Sequence, residues 1–206
     1  MLRKEGLRTR RAPPQGARVA ETTLNDLRPD FDERALVERA KDGDQQALAE
    51  LYERYLPRIY RYVAARLPAA DAEDVTSTVF LKMVDSLGRY EWRGLPFGAW
   101  LFRIARNEVV SFVRRERYRE ADPLDEALRD PAPSAAGAFE DAAQLAAVRD
   151  AIAQLPPAQR DVIELRFIAG LSVAETAKVL GKSETNVKVL QHKGVAKLQR
   201  LLADWE

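Results

Sequence analysis

The chain has 206 residues, 46% hydrophobic and 32% charged, with no cysteine, one histidine and a net charge of +1. Disulfides and thiolate metal sites are excluded, and a histidine cluster or a Ser/His/Asp triad has almost no raw material, so no cofactor, metal or catalytic residue is expected. No apolar run approaches the roughly 18 residues that span a bilayer, which predicts a soluble cytoplasmic protein without membrane insertion.

Residues 1–30 are basic, rich in Arg, Pro, Gly and Ala, and poor in groups to bury. They are expected to be a disordered extension, and they lack the apolar core of a secretory signal. Helical periodicity follows. Leu48, Leu51, Tyr52, Tyr55, Ile59 and Val63 share one face at three/four spacing, and Pro57 inside that run predicts a kink or a break. A second helix is expected from Asp71 to Leu87, with Asp71, Glu73 and Asp74 in its first turn, where the helix dipole favours anions. The loop "GRYEWRGLPF" comes next.

A third helix is expected over about 97–119. On a helical wheel Leu101, Ile104, Ala105, Val109 and Phe112 fall on one side. Arg103, Arg106, Asn107, Val110, Arg114 and Arg117 fall on the other, a basic stripe opposite a core stripe. The charge then reverses. Residues 120–141 hold Glu120, Asp122, Asp125, Glu126, Asp130, Glu140 and Asp141, with Pro123, Pro131 and Pro133 opposing regular structure. The near-zero net charge therefore hides segregated charge, which is the informative feature. Helical pattern resumes near Ala142, and "LPPAQRDVIELRF" reads as a proline-initiated amphipathic helix. No β-alternation and no internal repeat is visible. The expected fold is all-α, with two small helical domains, residues 31–119 and 142–206, joined by a flexible acidic linker over 120–141.

In "LSVAETAKVLGKSETNVKVLQHKG", Ser172 and Glu175 form an S-x-x-E capping box, Gly181 suits a left-handed C-cap, and Ser183 caps a second helix. Two short helices about a glycine turn make a helix-turn-helix, whose second helix enters the major groove. The wheel puts Val187, Leu190, Gly194 and Leu198 inward, and Thr185, Lys188, Val189, His192 and Lys193 outward. His192 is assigned to DNA contact, not to metal or catalysis.

The stretches "LVERAKDGDQQALAELYERYLPRIYRYV", "DAEDVTSTVFLKM" and "RGLPFGAWLFRIARNEVVSFVRRER" resemble region 2 of bacterial sigma factors. The stretch from "LPPAQRDVIELRF" through "GVAKLQ" resembles region 4. Together they resemble the extracytoplasmic-function (ECF) group of the sigma-70 family, over about residues 35–119 and 142–202. The resemblance implies a region 2 bundle and a region 4 helix-turn-helix. It implies an alternative sigma factor, not an enzyme, that binds core RNA polymerase through the β′ clamp helices and the β flap and directs promoter recognition and melting.

By the same resemblance, Asp71, Glu73, Asp74 and Phe80 would dock on the polymerase. Tyr90, Trp92 and Arg93 would capture a flipped base of the −10 element, and Arg103, Arg106, Asn107, Arg114 and Arg117 would hold melted −10 DNA by its phosphates. Thr185, Lys188, Val189, His192 and Lys193 match positions that read the −35 element. Trp100 is assigned to the core. The linker would thread the polymerase's basic cleft, and an anti-sigma factor is a candidate partner. Ser77 stands where the family usually has Gln, Val84 where Trp is frequent, and Leu190 where Arg is usual, so neither the exact β′ contacts nor the −35 sequence is inherited. The rivals are a stand-alone helix-turn-helix regulator and a recombinase, for which the first domain offers no nucleophile with a supporting site.

Overall fold

A computed structural model describes residues 32–92, 94–120 and 139–203, and among these every regular element is helical. The expected features in the N-terminal extension, at Arg93 and in the linker over 121–138 lie outside the described residues.

Four helices make the first group: α1 (Glu33–Lys41), α2 (Gln45–Ala64), α3 (Ala69–Leu87) and α4 (Phe97–Glu120). The start of α1 is fixed by Asp32, whose carboxylate accepts from the Ala35 amide at 3.0 Å. At the start of α2, Asp44 accepts from the amides of Gln46 and Ala47 at 2.9 and 3.1 Å. Asp44 also pairs with Arg39 across the intervening turn. The sequence periodicity alone does not separate these two helices.

Pro57 neither ends nor divides α2, which stays helical through it. Its ring is exposed, where water can serve the carbonyl that its missing N–H leaves without a donor. The buried face of α2, with Leu51, Tyr55, Ile59, Tyr62 and Val63, meets Val75, Val79 and Met83 of α3 and Phe97, Leu101, Phe102 and Ala105 of α4 in one apolar cluster. Trp100 packs against that cluster as expected.

The second group consists of α5 (Phe139–Ala153), α6 (Pro157–Ile163), α7 (Val173–Leu180) and α8 (Glu184–Ala203). Pro157 opens α6, where its missing amide costs nothing. At its far end α6 widens into a π-helical turn over Glu164–Ile168, closed by the Ala169 amide on the Glu164 carbonyl at 2.9 Å. Gly194 of α8 lets that helix lie directly on α6, since a Cβ there would stand 2.9 Å from Ile163 Cγ1.

The two groups touch. Leu165, Ala169, Leu171 and Val179 belong to the same buried cluster as Ile59, Phe102 and Ala105. The π-helical turn lies against α2, and α7 lies across α4.

Candidate nucleic-acid interface

The helix-turn-helix is built as its sequence dictates. Ser172 Oγ accepts from the Glu175 amide at 3.1 Å, and the Glu175 carboxylate accepts from the Ser172 amide at 2.8 Å. Both halves of the capping box are therefore formed. Gly181 ends α7 at φ 63°, in the left-handed region that a side chain would strain. Ser183 Oγ then accepts from the Asn186 amide at 3.2 Å and starts α8.

Along α8, Val187 and Gly194 are buried and Leu190 packs on the Val162–Ala177–Val187 cluster. Leu190 therefore points inward without any local shift of the helix. Thr185, Lys188, Val189, His192 and Lys193 are all exposed on the other side. Gln191 is held at the edge, accepting from Arg166 Nε at 3.0 Å.

The stripe on α4 is divided. Arg114 and Arg117, near its C-terminal end, are exposed, as is Asn107. Arg103 and Arg106, nearer the middle, are engaged by the second helical group. Arg103 Nη2 donates to the Lys178 carbonyl of α7. Arg106 donates to Asp161 Oδ2 of α6 through Nε at 3.0 Å and Nη2 at 2.6 Å. The other Asp161 oxygen accepts from Arg66 Nη2 at 2.5 Å, and Arg66 also pairs with Glu164. Arg58 reinforces this seam from α2, donating to the Ala169 carbonyl at 2.9 and 3.2 Å.

Asp161 and Glu164 respond differently to burial. Desolvation pushes the Asp161 carboxyl up, but the hydrogen bonds and charges of Arg66 and Arg106 outweigh it and hold it below its ordinary range. Glu164 is almost fully enclosed, and there desolvation prevails over Arg66 and raises its pKa. Its Oε1 has no hydrogen-bond partner. Sequence reasoning missed this cluster. Its signal was a pair of acids three apart, Asp161 and Glu164, on an otherwise apolar helix face.

The loop before α4 differs from expectation. Tyr90 is buried, its hydroxyl donates to the Leu95 carbonyl at 2.7 Å, and its ring lies 5.0 Å from Trp100 and 5.7 Å from Phe97. A ring so enclosed offers no face to a base. Trp92 is only half-buried, edge-on to Tyr90 at 6.0 Å. From α7, Lys178 Nζ donates to the Gly94 carbonyl of this loop.

On α3, Glu73 and Asp74 are exposed and Asp71 is half-buried. The helix begins at Ala69, so of these acids only Asp71 lies in its first turn. Phe80 is buried, with its ring 4.6 Å from Tyr52, and anchors the helix from beneath. The apolar side chains that α3 presents to solvent are Leu81 and Val84, at 67% and 47% exposure. Sequence reasoning passed over Leu81, the more exposed of the two. Among the described residues no cluster of acids and histidine suits a metal ion, and no helix is long and apolar enough to cross a membrane.

Residues 51–119 match the family model described as sigma-70 region 2, and residues 145–198 match the one described as sigma-70, region 4. The chain is similar to the ECF RNA polymerase sigma factor BldN of Streptomyces coelicolor, with 42% identity over 176 residues, covering 82% of this chain and 65% of BldN. It is similar to the ECF RNA polymerase sigma factor SigD of Mycobacterium tuberculosis, with 34% identity over 173 residues, covering 80% of this chain and 81% of SigD. In three dimensions it is similar to CnrH, a sigma factor of Cupriavidus metallidurans solved in complex with the cytosolic domain of CnrY. The TM-score is 0.65 and the identity 29%, covering 84% of this chain and 97% of that one.

Proposed function

Because the chain belongs to the ECF sigma factors of the sigma-70 family, which act in transcription initiation, we propose that it binds core RNA polymerase and directs promoter recognition and melting. Residues 31–119 engage the polymerase and the −10 element, and residues 142–206 read the −35 element. The protein works in the cytoplasm without catalysis of its own.

One observation carries the reading. Thr185, Lys188, Val189, His192 and Lys193 share the outward face of a helix whose start, turn and inner face are fixed by the capping box, Gly181 and the Leu190 contact. That is the geometry by which a recognition helix presents side chains to base edges and phosphates. On α4, Arg114 and Arg117 offer charges to the backbone of melted DNA, and Trp92, in the loop that precedes the helix, offers a stacking surface. On α3, the exposed Glu73 and Asp74, together with Leu81 and Val84, present acids and apolar groups to the β′ clamp helices. CnrH binds the cytosolic domain of CnrY, which supports a protein regulator of the anti-sigma kind for this chain as well.

The test is gel filtration of the protein with sigma-free core polymerase, followed by run-off transcription from pooled genomic DNA on the co-eluting fraction. Co-elution with discrete transcripts is expected. A protein that stays apart from the polymerase and footprints its own DNA site unaided would be a stand-alone regulator instead.

A further inference from the structure

One exposed apolar side chain of α8 stands apart from the packing. Val189 is 46% exposed and joins none of the apolar clusters among the described residues. The helix itself does not favour it, because a β-branched residue lowers helix propensity and an exposed one gains no burial in return. Its surroundings are polar. Thr185 lies one turn before it and Lys193 one turn after it, with Lys188 and His192 alongside, all of them exposed.

At about 100° per residue, Lys188 and Lys193 lie about 140° apart around α8, and Val189 lies between them. A helix seated in a major groove has a phosphate backbone on each flank and the base edges in front. Two lysines at the flanks with a β-branched side chain between them fit that division, charge toward phosphates and apolar surface toward bases. The two residues that follow Val189 are committed to the protein. Leu190 packs inward, and Gln191 accepts from Arg166 Nε at 3.0 Å.

We infer that Val189 determines part of the −35 specificity by contacting the methyl group of a thymine, an assignment that rests on the reading of α8 as the −35 helix. Of the groups that base pairs present in the major groove, the thymine methyl is the apolar one. The others are hydrogen-bond donors and acceptors. An aliphatic side chain pressed on them strips their water and returns no hydrogen bond. Val189 therefore favours thymine at the position it faces and disfavours the other three bases there. In this arrangement Lys188 and Lys193 position the helix through phosphates, which carry no sequence information directly.

The element would first be selected from duplexes randomised over the −35 segment, with the full-length protein assembled on core polymerase. Each thymine of the selected element, on either strand, is then replaced by deoxyuridine, which removes the methyl group and leaves base pairing as it was. Competition binding at one fixed salt concentration follows wild type, Val189→Ala and, as a second variant, Val189→Ser. Both variants should fold as wild type does, since the site is exposed, and thermal melting checks this. Wild type should lose about fourfold in affinity at one thymine, the effect of taking one methyl group out of an apolar contact. Both variants should bind the thymine and deoxyuridine duplexes alike at that position. Absence of any deoxyuridine effect in wild type, or the same effect in both variants, would overturn the assignment and leave the −35 reading standing. A selection that yields no preferred sequence would overturn the −35 reading itself, and the assignment with it.

Discussion

Arg66 and Glu164 lie 98 positions apart and share a buried ion pair that joins the turn after α2 to the first residue of the π-helical turn. The widened turn sets Glu164 where Arg66 can reach it, with Asp161 one helical turn earlier on the same guanidinium. Removing one member of a buried pair generally costs about 3–5 kcal/mol. Here the cost is limited, because separation of the two groups returns Glu164 to water. The wild-type chain, with one apolar cluster spanning both groups, should therefore melt in a single calorimetric transition. Arg66→Ala should split it in two, and a single undivided transition in the variant would show that the apolar strip alone couples the groups.

The exposed end of the α4 stripe gives a second prediction. Binding to single-stranded DNA weakens with salt in proportion to the phosphates neutralised, with a logarithmic slope of about −0.7 for each contact. Arg114→Ala with Arg117→Ala should reduce the magnitude of that slope by about 1.4 while leaving thermal stability unchanged, since both side chains are exposed. Affinity titrations at four or five salt concentrations would measure it. An unaltered slope would place the DNA elsewhere.

Neighbouring residues on α3 separate packing from docking. Phe80 is 5% exposed and Leu81 67%. Phe80→Ala should cost about 3–5 kcal/mol of stability, the usual range for emptying a buried aromatic site. Leu81→Ala should leave the melting temperature in place and weaken co-elution with core polymerase. Equal co-elution of Leu81→Ala and wild type would remove α3's apolar edge from the polymerase surface.

These contrasts also show what could be read without coordinates. The helix-turn-helix was legible because each of its parts is local: Ser172 and Glu175 are three apart, Gly181 acts through its own φ, and the wheel of α8 needs one helix only. The inward placement of Val187, Leu190, Gly194 and Leu198 followed from the same periodicity. Tyr90 was misplaced because "GRYEWRGLPF" has no period, and nothing in it says that the hydroxyl will find the Leu95 carbonyl. Pro57 was read as a kink or a break because propensity argues that way, but the buried face of α2 continues on both sides of it and holds the helix together. The ion-pair cluster around Asp161 and Glu164 was out of reach for a different reason. Arg106 and Arg66 find Asp161 across 55 and 95 positions, and single-helix patterns carry no information about partners that distant. The wheel correctly gave Arg106 a polar side, but it could not say that a carboxylate from the second group would already be there.

The aromatic loop before α4 supplies the last prediction. If a base is captured there, the stacking surface has to be Trp92, because Tyr90 is enclosed by Phe97 and Trp100. Tyr90→Phe removes one hydroxyl hydrogen bond and should cost about 0.5–1.5 kcal/mol of stability, with promoter opening unchanged once the protein is folded. Trp92→Ala should do the reverse. Its ring is half-buried, so stability should fall modestly, whereas the loss of stacking, worth about 1–3 kcal/mol for a base, should reduce open-complex formation by about tenfold or more. Permanganate footprinting of the melted strand would follow both variants on one promoter template. Loss of opening in Tyr90→Phe, with Trp92→Ala retaining it, would mean that the loop rearranges on the polymerase and brings the buried tyrosine out.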